Sequence, residues 1–438
     1  MAMLLQQEHW LPVVAVRLTM EQRTPSVELR LIVNVDGVQQ VHGTRRIDLS
    51  EFGYGAVEGP SRSELAVPGA VAEWVGAWAR AELVEADPLW LHLVKPYGAL
   101  GAVPWERDLQ PAVARPLLRL PDVLPNPVRT TSTYDLVLLV ACPWERPDTA
   151  TPEILRAVAG VPDVRVHVFC DARTRDRLRA AVPAAGDVTL HTYLPELVDK
   201  SDDGDYASDI RNRWFRWIKL SLAGQSVDAV HMVAHGAQLG PQGAILLPDL
   251  PDDGGSMLTL MQAGELAAAL TRLGALTAGF TRPQHNNSDY GLRRVVDDLG
   301  STRAGPVLLH EPEGPAPGAD LTACYRFLRE FRPAAAPASP DVLLYAQPDH
   351  VRRPAEAMPD FPSVIPRPTA TPSVSRHFDR EATPAWLGAA QRYIEQKEGE
   401  LRRFRGSPNS SESAYYAGVA SALEKARAVV ERHAEREL

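Results

Sequence analysis

The chain is poor in cysteine: Cys142, Cys170 and Cys324 are the only ones in its 438 residues. So few thiols cannot form a disulfide framework, and their spacing fits no zinc ribbon or finger, which suits a reducing, cytoplasmic setting. Long apolar runs are missing too. None reaches the roughly 18–20 residues of a membrane span. Residues Met1–Gln7 lack a basic stretch leading into an apolar one, so no signal peptide is expected. There is no basic excess, since 46 Lys and Arg stand against 55 Asp and Glu for a net charge of −9. That balance argues against a general nucleic-acid binder, and the partner expected is neither nucleic acid nor membrane. No Gly-rich phosphate loop or dinucleotide fingerprint occurs, so no cofactor is expected. Nor is a bound metal. The run Asp202-Asp203-Gly204-Asp205 lacks the remaining spacing and terminal glutamate of an EF-hand loop and reads as a solvated linker.

What is present is ordinary globular composition, 45% hydrophobic and 23% charged. At about 150 residues per domain, the length suggests two to three domains. Val27, Leu29, Leu31, Val33 and Val35 alternate with residues of the opposite face, and Asp36-Gly37 then turns the chain into Val38–Val41. This predicts an antiparallel hairpin in a β-rich region over 1–68. Val71, Trp74, Val75, Trp78 and Ala81 predict a helix near 69–83. A short strand follows at Leu89–Val94.

From Tyr134 the pattern changes. Apolar runs at 136–142, 164–170, 227–234, 276–280, 306–309 and 342–346 alternate with helical stripes near 152–159, 173–183, 206–223, 261–273, 288–299 and 318–331. Uninterrupted apolar strands alternating with helices predict an α/β fold, a doubly wound, mostly parallel sheet with helices on both faces. Ligand sites of such sheets lie beyond the carboxyl ends of the strands. Pro348, Pro354, Pro359, Pro362, Pro366, Pro368 and Pro372 then mark an extended linker over 351–382. The stripes Trp386, Ala390, Tyr393, Ile394, Leu401, Phe404 and Tyr415, Tyr416, Val419, Leu423, Ala426, Val430 predict a helical hairpin over 383–438.

The sharpest local feature is His231-Met232-Val233-Ala234-His235-Gly236. A histidine closing a buried strand is well placed as a general base. The glycine after it would let a substrate carbonyl approach the backbone, as an oxyanion hole requires. A histidine that only caps the strand through a loop hydrogen bond explains the same residues. His231, mid-strand, reads as a satisfied core histidine, and His285 lies in a polar surface loop. Cys170 and Cys324 fall at core positions.

Several blocks, in order, resemble the CHAT domain, a caspase-like family of Cys/His-dyad peptidases. They are Pro96–Glu106, similar to a hairpin block of that family, Leu136–Pro143, Asp228–Gly236, Leu258–Leu270 with Glu265, and Arg303–Leu309. The resemblance covers roughly 70–350 and implies a caspase-like domain over 69–350, with the strand order 2-1-3-4. In that family one strand ends in the catalytic histidine, here matched by His235, and the next ends in the nucleophilic cysteine. In Leu276-Thr277-Ala278-Gly279-Phe280-Thr281 the cysteine's place is held by Gly279, and neither Gly279 nor Phe280 carries a nucleophile. Thr277 and Thr281 lie two residues to either side, about 6.6 Å along a strand.

The resemblance therefore implies a pseudoprotease: a regulatory or partner-binding module of a bacterial multi-component signalling or defence (conflict) system. Its partner would be a protein or peptide, such as a tetratricopeptide-repeat, protease or NTPase component. Gly236, Gly279, Glu145 and Arg146 would line the substrate groove. The alternative is an active cysteine endopeptidase in which Cys142, at the end of the neighbouring strand, serves as a relocated nucleophile beside His235. A structural scaffold assembled through the C-terminal hairpin is a third possibility.

Overall fold

The computed structural model describes residues 11–351 apart from 22–23, 36–37, 55–64, 85–86, 96, 123–132, 143–149, 184–185, 200–206, 208–209, 240–241, 252–256, 284–288, 313–316 and 331–332; beyond 351 it describes Arg427 alone. The proline-rich linker, the C-terminal hairpin, Glu145, Arg146, His285 and the 202–205 run lie outside the described residues.

The protein is mixed α/β, with a mostly parallel central sheet flanked by helices. Three long strands come first, β1 (Leu11–Glu21), β2 (Thr24–Val35) and β3 (Val38–Asp48). They are followed by helix α1 (Gly69–Glu82), β4 (Leu89–Leu93), α2 (Trp105–Val113) and β5 (Leu117–Arg119). The predicted hairpin is β2–β3, paired antiparallel with Val35 opposite Val38. The block Pro96–Glu106 is not a hairpin. It holds a 3-10 turn over Gly98–Ala102, and then α2 begins at Trp105. Gly98 starts this turn at φ +56°, where a side chain would be strained.

The alternating region supplies β6 (Tyr134–Ala141), α3 (Ala150–Ala159), β7 (Val164–Cys170), α4 (Ala172–Leu178), β8 (Asp187–Leu190), α5 (Pro195–Asp199) and α6 (Arg213–Ser221). Then come β9 (Ala229–Leu239), β10 (Gln242–Pro248), β11 (Leu258–Gln262), α7 (Ala263–Leu273), β12 (Thr277–Thr281), α8 (Asp289–Thr302), β13 (Val307–His310), α9 (Pro317–Arg329) and β14 (Val342–Tyr345).

One sheet runs β3-β2-β1-β4-β5-β14-β13-β12-β9-β6-β7-β8, with β10 and β11 folded off β9. Within it, β7-β6-β9-β12 has the expected order, second, first, third, fourth, with all pairs parallel. Strand β14 runs against β13, so β1, β4, β5 and β14 point opposite to β6, β9, β12 and β13. The parallel pairing of β1 with β4 carries the sheet across the boundary expected near residue 68.

The strands are apolar on both faces because helices cover both. One face packs Leu136, Leu138 and Val140 of β6 with Leu155 and Val158 of α3 and Leu321 and Tyr325 of α9. That same apolar cluster takes in Val13 and Ala15 of β1 and Trp90 of β4. The other face packs Val137 and Leu139 with Trp214 and Ile218 of α6, Leu266 of α7 and Val295 of α8. A third cluster lies between β1, β2, β4 and helices α1 and α2.

Candidate functional site

The strand carrying His235 does not end there. β9 runs on to Leu239 and folds back on β10, which places Leu246 opposite His235. The reason is the apolar run Ala244–Leu247. It is the return strand of a hairpin, and pairing with it extends β9. His235 is 1% exposed. Gly236 faces α8: a side chain there would overlap the backbone nitrogen and Cγ of Leu292. Close helix approach thus accounts for that glycine without an oxyanion hole.

Cys142 sits one residue past β6, whose last residue, Ala141, pairs with Ala234. Cys142 and His235 therefore belong to adjoining strand positions, as the expected order required. The Cys142 side chain is half-buried, and its Sγ donates to the carbonyl of Val233 at 3.3 Å. None of the three cysteines is in a disulfide. Burial raises the pKa of Cys170 and Cys324 well above the usual thiol range, and both are inert core residues.

The sharpest chemistry lies one row deeper, around Gly279. This glycine is buried on β12 in register with His231 of β9 and Leu308 of β13. His231 is fully buried, yet both ring nitrogens are engaged. Nδ1 lies 2.8 Å from Tyr325 Oη, on α9, and Nε2 lies 2.8 Å from Thr281 Oγ1. Thr281 Oγ1 is in turn 3.2 Å from His310 Nδ1, at the end of β13. Nearby, Tyr134 Oη donates to Thr277 Oγ1 at 3.2 Å, and the Tyr134 ring stands edge-on to that of Tyr325.

A chain of four groups from three strands and a helix therefore crosses the sheet under cover. Either of two opposite proton orders satisfies every link: the Tyr325 hydroxyl donates to His231 Nδ1, Nε2–H to Thr281 and the Thr281 hydroxyl to His310 Nδ1, or each of these bonds runs the other way. Both need a neutral His231. Burial, followed by the neighbouring His310, pushes the pKa of His231 down to about 3, so it is neutral at pH 7.

The chain also explains the glycine. A Cβ at 279 would overlap both Tyr325 Oη and His231 Nδ1, the two partners of one hydrogen bond. The sequence reading of His231 as a satisfied core residue holds. The pairing of Thr281 with His231 was not anticipated, and only the Thr-x-Gly-x-Thr alternation on β12 hinted that three residues share a face.

A second buried polar cluster joins the sheet's two halves. Arg119, at the end of β5, donates to Glu106 Oε1 at 2.6 Å and to the Gly101 carbonyl at 2.9 Å. Arg293 of α8 reaches Glu106 Oε2 at 3.3 Å and forms an ion pair with Glu311. Asp297 accepts from Tyr345 Oη at 2.7 Å and lies 3.8 Å from Arg119. Burial alone would raise the Glu106 pKa, but Arg119 and Arg293 beside it hold it below the usual range. For Asp297 burial wins, and its pKa is raised.

Among the described residues no group of three or more His, Cys, Asp or Glu side chains could hold a metal ion, and no helix is long and apolar enough to cross a membrane. No protein-family model, curated protein or solved structure matches the chain.

Proposed function

We propose that the protein is a CHAT-like pseudoprotease, a caspase-like module that binds a protein partner in a bacterial signalling or defence system without cutting it. The observation that carries this reading is the state of position 279. The matching family position holds the attacking thiol, whereas here there is no side chain and the space above it is filled by the hydrogen bond between His231 and Tyr325. Acyl transfer needs a nucleophile within reach of its base and of the substrate. The nearest hydroxyl, Thr281, is fully buried and already hydrogen-bonded on both sides. The strand order β7-β6-β9-β12 further supports the resemblance.

One arrangement favours the second reading, an active endopeptidase. Cys142 is half-buried at the strand position adjoining His235. Iodoacetamide and acyloxymethyl-ketone labelling at neutral pH separates the two. The pseudoprotease is expected to show no more labelling of the folded protein than the background of an unfolded control. Fast labelling of Cys142 that disappears in His235→Ala would establish the peptidase instead.

A further inference from the structure

Among the described residues, the row of β9, β10 and β11 that contains His235 ends at β11. His235 pairs with Leu246, and Leu246 pairs with Leu260 of β11. Among the described residues β11 has β10 as its sole strand neighbour, so its outer edge presents backbone donors and acceptors for a further strand. The edge is also apolar. Leu260 is 42% exposed and the adjoining Met257 71%, two of the five large hydrophobics exposed in the described structure.

The sheet's far edge is different. Its edge strand β3 carries two adjacent charged residues, Arg45 and Arg46, and charge on an edge strand discourages further pairing. No charged residue lies within β11, whose sequence is Leu-Thr-Leu-Met-Gln.

Charge decides what would pair there. Exposed Asp249 lies where β10 ends, beside the start of β11, and its backbone N–H bonds the Met257 carbonyl. Exposed Glu265 lies in the first turn of α7, just beyond the strand's other end. A second copy paired antiparallel on this edge would bring like charges together at both ends, in a chain whose net charge is already −9. We propose that β11 docks an extended segment of a partner protein, with apolar residues at alternate positions and lysine or arginine at both flanks, by strand addition. The proposal rests on the partner-binding reading and names the chemistry of that partner.

The test uses the full chain and a panel of nine-residue peptides with alternating Val and Thr, flanked by Lys-Lys or by Glu-Glu, followed by fluorescence anisotropy at low and physiological salt. Saturable binding of the lysine-flanked peptides is expected, with the glutamate-flanked set bound at least about tenfold more weakly. Leu260→Lys, on an exposed side chain, should abolish binding without shifting the thermal midpoint, and Asp249→Lys with Glu265→Lys should reverse the preference. The proposal is overturned if neither set binds, if both bind equally, if Leu260→Lys leaves binding intact, or if sedimentation shows a dimer that Leu260→Lys dissolves. Cleavage of a bound peptide would end the non-catalytic reading and leave the docking edge standing. Absence of binding and of cleavage would end the docking edge alone.

Discussion

The two buried polar clusters solve the same problem in opposite ways. Around Gly279 the groups are hydroxyls and imidazoles, and satisfaction depends on a consistent proton order through Tyr325, His231, Thr281 and His310. At the junction of β5, α2 and α8 the groups are charged, and satisfaction depends on Arg119 and Arg293 sharing Glu106. Losing one member of this chain leaves one or two uncharged hydrogen-bonding groups short of a partner. Losing one member of the charged cluster leaves a whole charge stranded in a dry interior. The charged cluster also spans elements from both halves of the sheet, so it couples them, whereas the neutral chain lies entirely within the alternating region.

The largest expected effect breaks the charged side. Arg119→Met leaves Glu106 to share Arg293 with Glu311 and removes a partner of Asp297, and should cost about 3–5 kcal/mol in urea unfolding. Adding Glu106→Leu should recover part of that loss. A variant with wild-type stability would show that the cluster is not a coupling element.

Acid tests the neutral side. The folded pKa of His231, about 3, lies below its unfolded value, so the unfolded state binds more protons between these two values. The pair His167 and His191 titrates in the same direction. Burial and then His167 push His191 down to about 4, and burial pushes His167 down. Stability should therefore be fully present above about pH 6.5 and fall as the pH drops toward 4, by roughly one proton per site. The slope should be shallower in His231→Gln, read from urea midpoints across that range.

Gly279→Cys comes next. A thiol side chain at 279 forces Tyr325 and His231 apart, and should cost about 1–3 kcal/mol as an overpacked core does. It should yield no peptidase activity on casein or fluorogenic peptides. Gain of cleavage would mean that the hydrogen bond yields readily to a nucleophile. The smallest effect is Tyr325→Phe, which removes one hydroxyl and leaves His231 Nδ1 without that donor, at about 1–2 kcal/mol. An unchanged midpoint would mean that the bond between Tyr325 and His231 contributes no net stability.

Much of this architecture could be read from residue patterns. The 3.6-residue stripes gave α1 as 69–83 against Gly69–Glu82, and the apolar runs placed β7 at the residues observed and β12 and β13 within one residue. These patterns are local, because they record which face of an element is covered. What failed was nonlocal. The run 244–248 has the same composition whether it is a separate strand or a return strand, so sequence ended β9 at His235, four residues before Leu239. β5, three residues long, is too short for its alternation to register. The Thr281 hydroxyl could be placed near a strand end but not against His231, because that contact depends on cross-strand register.

Periodicity and composition thus set the strands, the helices and the parallel character of the main sheet, since each follows from burial along a single segment. Where those strands align decided the rest. Register put Gly279 beside His231, α9 brought the Tyr325 hydroxyl over it, and the β10 return strand extended β9 past His235. These outcomes require segments tens of residues apart to meet, and no single segment encodes the meeting.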